Sequence, residues 1–405
     1  MHILYFADTR FPIERANGLQ TMATCCALAG RGHRVTLVVR PDSCVPPRDP
    51  FAFYDFPRTD ALTISVVDTS TGERTRRAQF VMASAARLLR ADADVVYTRD
   101  LGLAALLLRL PRSRRPRLIY ESHGIASIVS AEMAALLGKP EARPTHRKLE
   151  RLDRRERRVW RRAAAYVTIT RTLAVELAAR YGERPNVFVV PDGAAVGSEV
   201  PSLRGSTFAE PGTPEPWNPG IPIAGYAGHL YPWKGVDVFL RALALAPGIR
   251  GLIVGGHPAE QDLARVRALV HELGLDARVD ITGLVKPGDV RRRLAPASML
   301  VLPNTPSAIS ERYTSPLKLF EYLSMRRPVI ASDLPAIREV LTHERTALLV
   351  APGDPRALAA ALQRIAGDRA LGCRLADAAA ALAPQYSWEA RAERLEAALA
   401  AAVAA

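Results

Sequence analysis

The chain has 405 residues and a mass of 44.1 kDa, which suits two domains of about 200 residues better than one. Hydrophobic residues make up 48% and charged residues 24%, which excludes wholesale disorder, and no apolar run approaches the ~20 residues of a membrane span. Of the net charge of +14, most lies in residues 1–200, which hold 32 Lys and Arg against 21 Asp and Glu. This excess favours an anionic partner, although an Arg-rich composition would account for it equally well.

The N-terminal segment Met1–Asp8 has neither a basic region nor a cleavage site of small residues. It therefore predicts a first strand rather than a signal peptide. The four cysteines have no metal-binding spacing, so we expect free thiols and a cytoplasmic protein.

Short β-rich runs alternate with longer helical stretches up to residue 190. The runs are continuously apolar, which is typical of parallel strands covered on both faces. The predicted strands are 3–6, 35–39, 63–67, 95–97, 118–120, 166–169 and 187–190. This alternation indicates a doubly wound α/β domain over residues 1–197.

A Pro-rich stretch at 198–221 interrupts the pattern and predicts a linker. The alternation then resumes and predicts a second α/β domain over 222–385. Its predicted strands are 223–226, 252–254, 279–281, 299–302, 329–331 and 347–350. An amphipathic Ala/Leu-rich helix follows, and we expect 386–405 to pack back on the first domain.

A strongly basic helix is predicted at 145–162, with nine Lys and Arg against three acidic residues. One interpretation is a helix that contacts the inner face of an anionic membrane or guides a phosphorylated acceptor. The other is a solvated helix face with internal ion pairs four residues apart. Nucleic acid is not expected as a partner, because no aromatic residues alternate with the basic ones.

Several well-known motifs are absent from the sequence: a Walker P-loop, G-x-G-x-x-G after a strand, H-E-x-x-H, C-x-x-C and G-x-S-x-G. Glycine-bearing turns do follow predicted strands, at 15–19, 227–235 and 255–258. Ligands of open α/β sheets bind at the edge formed by the carboxyl ends of the strands, where such turns begin. Backbone N–H groups in these turns are able to approach phosphates. In the second turn, His229 and Lys234 are the cations best placed to hold a diphosphate.

The segment 311–339 is the densest in functional residue types. A polar turn at 313–316 leads into a predicted helix at 317–325, and Pro316 suits its first turn. The start of this helix offers free N–H groups to an anion. Glu321, a little over one turn in, is placed to accept hydrogen bonds from a vicinal diol such as a ribose.

Five segments together resemble the family-4 retaining glycosyltransferases of group 1, which have the GT-B fold. They are Arg31-Gly-His-Arg-Val35, Tyr120-Glu-Ser-His-Gly124, Val190-Pro-Asp-Gly193, Tyr226-Ala-Gly-His-Leu-Tyr-Pro-Trp-Lys-Gly235 and the Ser315-Pro-Leu-Lys-Leu-Phe-Glu-Tyr segment that runs on to Ser332. The resemblance implies two Rossmann-like domains facing a central cleft, the first for the acceptor and the second for a nucleotide-diphospho-sugar. It also implies transfer with retention, without a metal or other cofactor, with a UDP-sugar as the first expectation for the donor and a GDP-sugar as the second. The acceptor is unknown, with an anionic or lipid-linked molecule as one option.

The resemblance carries over to individual residues. Glu321 matches the second Glu of the E-x7-E motif, which binds the donor ribose, and Lys234 matches the diphosphate-binding lysine. His123 matches the histidine that faces the donor sugar. The remaining donor-binding positions are Gly18, Gly228, His229, Gly283, Leu284, Val285, Tyr313, Ser315, and Leu317 and Lys318 with their N–H groups.

The sequence departs from the family pattern at three positions. Tyr313 stands where the first Glu of E-x7-E is expected, and Glu311 is placed to substitute for it only if the loop adjusts. His229 stands where arginine is common, and Arg326 where glycine is frequent. The predicted catalytic residues are His123, Lys234 and Glu311.

Two other functions stay open at this stage. A UDP-sugar epimerase would need acid–base carboxylates in the cleft, and no convincing set is evident. A catalytically silent nucleotide-sugar-binding protein is kept in view by Tyr313.

Overall fold

The computed structural model of the chain describes residues 1–69, 72–90, 92–137, 140–196, 220–258 and 260–404. Residues 198–219 of the predicted linker lie outside this range. The described chain divides into two compact units. Unit 1 comprises Met1–Ala131, Pro144–Asp192 and Trp388–Ala405, and unit 2 comprises Glu132–Arg143 and Gly193–Ser387.

Unit 1 is built on a parallel sheet that has seven strands among the described residues, in the order β3-β2-β1-β4-β5-β6-β7. The strands are β1 (His2–Arg10), β2 (Arg34–Arg40), β3 (Leu62–Val66), β4 (Val95–Thr98), β5 (Leu118–Ser122), β6 (Ala165–Thr168) and β7 (Val187–Val189). The helices are α1 (Ala16–Gly30), α2 (Pro50–Tyr54), α3 (Glu73–Arg90), α4 (Leu101–Leu107), α5 (Ala126–Leu136, whose last turns belong to unit 2), α6 (His146–Arg162) and α7 (Arg171–Tyr181).

Unit 2 repeats this plan with a parallel sheet in the order β10-β9-β8-β11-β12-β13. Its strands are β8 (Ile223–Ala227), β9 (Arg250–Val254), β10 (Val279–Ile281), β11 (Met299–Leu302), β12 (Val329–Ser332) and β13 (Leu348–Val350). Its helices are α8 (Val236–Ala244), α9 (Gln261–Glu272), α10 (Val290–Leu294), α11 (Ala308–Arg312), α12 (Leu317–Ser324), α13 (Pro335–Arg338), α14 (Pro355–Gly367) and α15 (Arg369–Ala380).

The predicted strands all overlap observed strands. Inner strands such as β4 and β11 are buried on both faces, which leaves a continuous apolar run in the sequence. In β1, for example, Ile3, Leu4, Tyr5 and Phe6 are each at most 1% exposed. The strand order places β1 and β4 side by side in unit 1, and β8 and β11 in unit 2. At such a reversal of strand order, the loops at the carboxyl edge separate and leave room for a ligand.

The last helix, α16 (Trp388–Ala404), completes the core of unit 1. Its buried face, including Leu395 and Leu399, packs with residues of α1 and of β5 to β7. None of the helices in the described ranges is long and apolar enough to cross a lipid bilayer.

Candidate active site

At the carboxyl edge of the sheet in unit 2, β8 and β9 end in a direct backbone contact. The N–H of Gly228 donates to the carbonyl of Val254 at 2.9 Å. Gly228 and Gly255 have φ of +128° and +140°, and a Cβ on Gly255 would overlap the Gly228 carbonyl. Glycine suits both the positive φ and the close backbone contact. This edge of the sheet therefore presents backbone without side chains, which a ligand is able to approach closely.

Lys234 is held at the same edge by the turn that begins α8. The next residue, Gly235, has φ of +75°, and a Cβ there would overlap the carbonyl oxygen of Pro303 beyond β11. The turn therefore lies against the end of the neighbouring strand β11, and Lys234 directly precedes this contact. Burial lowers the pKa of the Lys234 ammonium to about 8.

Lys318, in the first turn of α12, is the more buried of the two lysines at this edge. It is 9% exposed, and its Nζ lies 3.9 Å from the ring centroid of Tyr226. Within the described ranges, Nζ has no hydrogen-bond acceptor. Burial, and then the charge of Lys234, hold the pKa of Lys318 well below its usual value.

The N-terminus of α12 presents its N–H groups without a side-chain cap from the described residues, since Pro316 occupies the capping position. Glu321 follows one turn later and is half-buried. Burial raises the pKa of the Glu321 carboxyl, although Arg291 and Lys318 act in the opposite direction. We call Gly228, Lys234, Lys318, Glu321 and this helix start the lysine site.

The lysine site has the composition of a phosphate-binding site. Two ammonium groups, free N–H groups and the positive end of a helix dipole all favour an anion. Glu321 adds an acceptor at a distance of about one helical turn. The predicted residues Gly228, Lys234, Lys318 and Glu321 therefore lie on one edge of the same sheet.

His229 lies beside this edge within a stacked aromatic group. Its ring stacks on Tyr231 at 5.0 Å between centroids, and Tyr231 stacks on Trp233 at 4.7 Å. The Glu260 carboxylate lies 3.4 Å from His229 Nδ1 and accepts the Tyr231 hydroxyl at 2.7 Å. His229 thus faces a carboxylate, a partner that the sequence analysis did not identify.

The predicted donor-binding residues Gly283, Leu284 and Val285 follow β10, the outer neighbour of β9. Gly283 forms an isolated bridge with Gly255, so this loop continues the same edge. Leu284 is 44% exposed, whereas Val285 packs partly into the core of unit 2.

Glu311 and Tyr313 lie on or next to α11, a five-residue helix that the sequence analysis did not predict. Its first N–H groups, those of Ala308 and Ile309, donate to the Glu132 carboxylate at 3.0 and 3.2 Å. Tyr313 ends this helix and is 3% exposed. The Glu311 carboxylate makes no hydrogen bond or ion pair within the described ranges. Its substitution for the missing Glu therefore stays a prediction, as does the role of the half-buried Ser315.

In unit 1, His123 follows β5 and belongs to a buried charged group. Its Nε2 lies 2.5 Å from Glu121 Oε1, two residues earlier. Glu121 is 1% exposed and also accepts hydrogen bonds from Gln20, at 2.9 Å, and from the Tyr97 hydroxyl. Arg391 of α16 donates to its Oε2 at 2.5 Å. We call these five residues the Glu121 cluster.

Burial and neighbouring charges favour the neutral form of His123. Burial and Arg99 lower the pKa of the His123 imidazole, although Glu121 acts in the opposite direction. Chiefly through Arg391, the cluster holds the pKa of Glu121 well below its usual value despite burial. A neutral imidazole beside a carboxylate carries its proton on Nε2, which leaves Nδ1 as a hydrogen-bond acceptor.

Asp192 lies next to this cluster, and ligand atoms of Glu121, His123 and Asp192 fall within 4.8 Å of one another. Such a trio resembles a metal-binding set, but Arg391 Nη1 lies 3.8 Å from Asp192 and Nη2 bonds Glu121. A cation placed there would meet a fixed guanidinium. The donor set therefore fits an arginine better than a metal ion.

Gly18 lies in the first turn of α1 and is buried. A Cβ there would overlap the Tyr54 hydroxyl and lie 2.6 Å from Ile13. Close packing against α2 is thus one reason for a glycine here, and its predicted contact with the donor stays a prediction.

Arg391 and Glu260 were not among the predicted site residues, and Glu121 appeared only within the Tyr120–Gly124 motif. The spacing of Glu121 and His123, two residues apart on one strand end, places both side chains on one face and was the available signal. No comparable signal exists for Arg391, which is 270 residues from Glu121.

Comparison with known proteins identifies the family. The family described as glycosyl transferases group 1 matches residues 221–368, and the glycosyl transferase 4-like domain matches residues 18–193. D-inositol 3-phosphate glycosyltransferase of Nocardia farcinica is 30% identical over 326 residues, which are 78% of this chain and 68% of that protein. Alpha-D-kanosaminyltransferase of Streptomyces kanamyceticus is 28% identical over 179 residues, and the match spans 43% of this chain and 44% of that protein.

Solved structures share the architecture at low sequence identity. HepE from Anabaena, solved in complex with UDP, superposes with a TM-score of 0.71 at 16% identity, over 99% of this chain and 100% of that chain. Sucrose-phosphate synthase from Thermosynechococcus elongatus gives 0.75 at 19% identity, over 98% and 97%. These likenesses confirm the predicted two-domain α/β fold of the GT-B type. Together with the matches above, they show that the chain belongs to the GT4 family, the glycosyl transferases of group 1, and is a glycosyltransferase.

Proposed function

We propose that the chain moves a sugar from a nucleotide-diphospho-sugar to an acceptor hydroxyl, with retention of the anomeric configuration and without a metal ion. The buried side-chain amine of Lys318, which has no acceptor among the described residues, carries this proposal. Burial holds its pKa well below the usual value, and a bound diphosphate would favour its charged form.

The lysine site suits the leaving group of such a transfer. As the bond between the anomeric carbon and the β-phosphate oxygen breaks, negative charge builds up on the diphosphate. Lys234, Lys318 and the first N–H groups of α12 stabilise this charge as preorganised donors. The departing phosphate oxygen accepts the proton of the attacking acceptor hydroxyl, so no separate catalytic base is needed.

Two further residues bind the rest of the donor in this proposal. Glu321 accepts hydrogen bonds from the ribose hydroxyls. His123 contributes its Nδ1 as an acceptor for a hydroxyl of the transferred sugar, in a tautomer fixed by Glu121.

We propose a UDP-sugar as the donor and keep a GDP-sugar as the second candidate. HepE, which shares the fold, was solved with UDP and with UDP-glucose. The basic N-terminal half favours an anionic or lipid-linked acceptor. The setting we propose is the cytoplasm, with α6 as the element for contact with an anionic membrane face.

Nucleotide binding tests the donor site directly. We would titrate the chain calorimetrically with UDP, GDP and ADP in EDTA, and compare Lys318→Met and Glu321→Ala with the parent. We expect one nucleotide to bind without metal, and each variant to lose about tenfold in affinity or more, about 1.4 kcal/mol. Lys148→Met, an exposed lysine of α6, is the matched control and should bind normally.

A folded parent that binds none of the three nucleotides would contradict the donor site. Turnover then separates the remaining functions. Proton NMR of the sugar nucleotide with and without acceptor candidates reports the configuration of any product. A change of the donor sugar without acceptor would indicate an epimerase, and binding without turnover would favour the silent binding protein.

A further inference from the structure

Helices α3, α4 and α6 of unit 1 enclose a surface pocket whose charged side chains are all arginines. Arg77 comes from α3, Arg109 from the turn after α4, and Arg155 and Arg158 from α6. Leu106 and other aliphatic residues of α4 supply an apolar wall. We call this the arginine pocket, and nothing in the proposed donor chemistry uses it.

In the described part of the chain, three of the four pocket arginines lack the acidic partners that some neighbouring arginines of α6 have. On α6, Arg154 pairs with Glu150 at 3.8 Å, and Arg157 pairs with Asp153 at 3.2 Å. In contrast, three pocket arginines have no ion pair in the described part of the chain. They are Arg109, Arg155 and Arg158. The pocket therefore gathers three arginines without an acidic partner, while other basic residues of α6, such as Arg151 and Arg161, also have no ion pair in the described part of the chain.

Two nearby carboxylates offset this charge only in part: Asp8 lies 3.5 Å from Arg77, and Asp100 opposes the effect of the neighbouring arginines on Arg155. Asp100 caps α4 and is bonded through both oxygens to Arg77, at 3.0 Å each. Burial and the charges of Arg151, Arg77 and Arg109 lower the pKa of the Arg155 guanidinium. Burial and Arg109 do the same for Arg158. Mutual repulsion of this kind is relieved when an anion binds between the guanidinium groups.

The pocket also has room for these guanidinium groups to converge. Gly102 lies in the first turn of α4, and a Cβ there would be 2.6 Å from Arg77 Nη2 and 3.7 Å from Arg155 Nη1. Arginines of α3 and α6 thus approach the same point on α4 from two sides. Guanidinium forks in this arrangement match the oxygen geometry of a phosphate group.

We propose that the arginine pocket binds the phosphate group of a phosphate ester. The pocket lies near the carboxyl edge that carries His123: Asp100 contacts Arg77, and the preceding Arg99 donates to Gln20 of the Glu121 cluster at 2.5 Å. A soluble phosphate ester and a phospholipid headgroup offer the same group. This inference concerns unit 1 alone, and its test uses no sugar donor, so it stands or fails separately from the proposed function.

Arginine-specific modification tests the site at residue resolution. The full chain would react with phenylglyoxal in inorganic phosphate or in potassium chloride of equal ionic strength, and peptide mass spectrometry would report the rate at each arginine. With phosphate at ten times its Kd, we expect Arg109, Arg155 and Arg158 to react about tenfold more slowly. Arg157 and Arg161, exposed on the same helix, are the internal controls and should keep their rates.

Vesicle flotation then distinguishes the two sources of phosphate. We would compare the parent with Arg155→Gln/Arg158→Gln and with the charge-matched control Arg157→Gln/Arg161→Gln, on phosphatidylcholine vesicles with and without phosphatidylglycerol. Thermal unfolding checks that both variants fold. Flotation with phosphatidylglycerol that only the pocket variant loses indicates a lipid headgroup, whereas phosphate protection without flotation indicates a soluble ester. The proposal is overturned if phosphate does not selectively protect the pocket arginines and if flotation is either absent or lost equally by both variants.

Discussion

A lysine that is buried without an acceptor is held ready to take up a proton. The pKa of Lys318 lies well below its usual value because of burial and of Lys234 nearby. A diphosphate that binds beside it supplies negative charge and raises that pKa again. The lysine site therefore couples nucleotide binding to protonation.

Because burial lowers the pKa of Lys234 to about 8 and that of Lys318 well below its usual value, this coupling predicts that nucleotide binding near pH 8 takes up protons. Calorimetric titration of UDP in buffers with different ionisation enthalpies measures the number of protons bound. We expect a clear uptake in the parent and a smaller one in Lys318→Met, while Lys148→Met matches the parent. The same number of protons in all three proteins would show that Lys318 is already charged in the free protein.

Glu156 of α6 provides a second prediction at the scale of a single residue. It is fully buried, its Oε2 accepts the N–H of Ala126 at 2.7 Å, and burial raises its pKa from 4.5 to about 7. The folded protein thus holds this proton more tightly than the unfolded chain does. Stability from this group is present at low pH and is lost as the pH rises from about 4.5 to about 7.

We expect Glu156→Gln to raise the free energy of unfolding at pH 8 by about 1–3 kcal/mol, and to change it little at pH 5. Glutamine mimics the protonated acid and still accepts the Ala126 N–H. Urea unfolding at both pH values checks this. A variant that is destabilised equally at pH 5 and pH 8 would argue that Glu156 is ionised and needed as such.

At the scale of elements, helix α16 contributes charge as well as apolar surface. Arg391 is fully buried, donates to Glu121 and also bonds the carbonyls of Val190 and Pro191, at 2.8 and 2.7 Å. One side chain thus connects α16 with β5 and with the end of β7. Removing one partner of such a pair leaves a buried charge without compensation.

Arg391→Met should therefore lower the stability of unit 1 by about 3–5 kcal/mol. The double variant Glu121→Gln/Arg391→Met should be less destabilised than the sum of the single changes, because neither charge then remains. Urea unfolding of the four proteins gives this coupling energy. Strict additivity would mean that the two groups do not interact energetically.

The elements also explain what could be predicted from the sequence. Strands such as β5 and β11 are fully buried and leave apolar runs that identify them without any tertiary information. Helix α11 has only five residues, too few to show a periodicity, so the local signal for it was the capping residue Ser307, which accepts the N–H of Ser310 at 3.0 Å. Glu132, far away in the chain, also holds its start. Of the candidate site, the positions at turn glycines and at the start of α12 were accessible from the sequence. Arg391 and Glu260 were not, since only the tertiary fold brings them to their partners.

At the scale of the whole molecule, each unit has its own core, and this predicts how a ligand stabilises the chain. The core of unit 2 is built from β8 to β13 and their helices. A nucleotide at the lysine site should stabilise this unit by about 2.7 kcal/mol at a concentration of 100 times its Kd. Hydrogen exchange of the amides in β8 and β11 with and without UDP measures this gain. Unchanged exchange under saturating UDP would exclude the lysine site as the place where it binds.

Because α16 belongs to unit 1, the order of synthesis matters to the stability of its centre. Glu121 is made early, and Arg391 follows 270 residues later, after all of unit 2. At translation rates of about 5–20 residues per second, this delay lasts roughly 15–50 seconds. During that time, the apolar surface later covered by Leu395 and Leu399 is open and the Glu121 carboxylate lacks its guanidinium. Unit 1 thus stays incomplete until α16 has been made. Chains truncated before α16 should expose this apolar surface and aggregate.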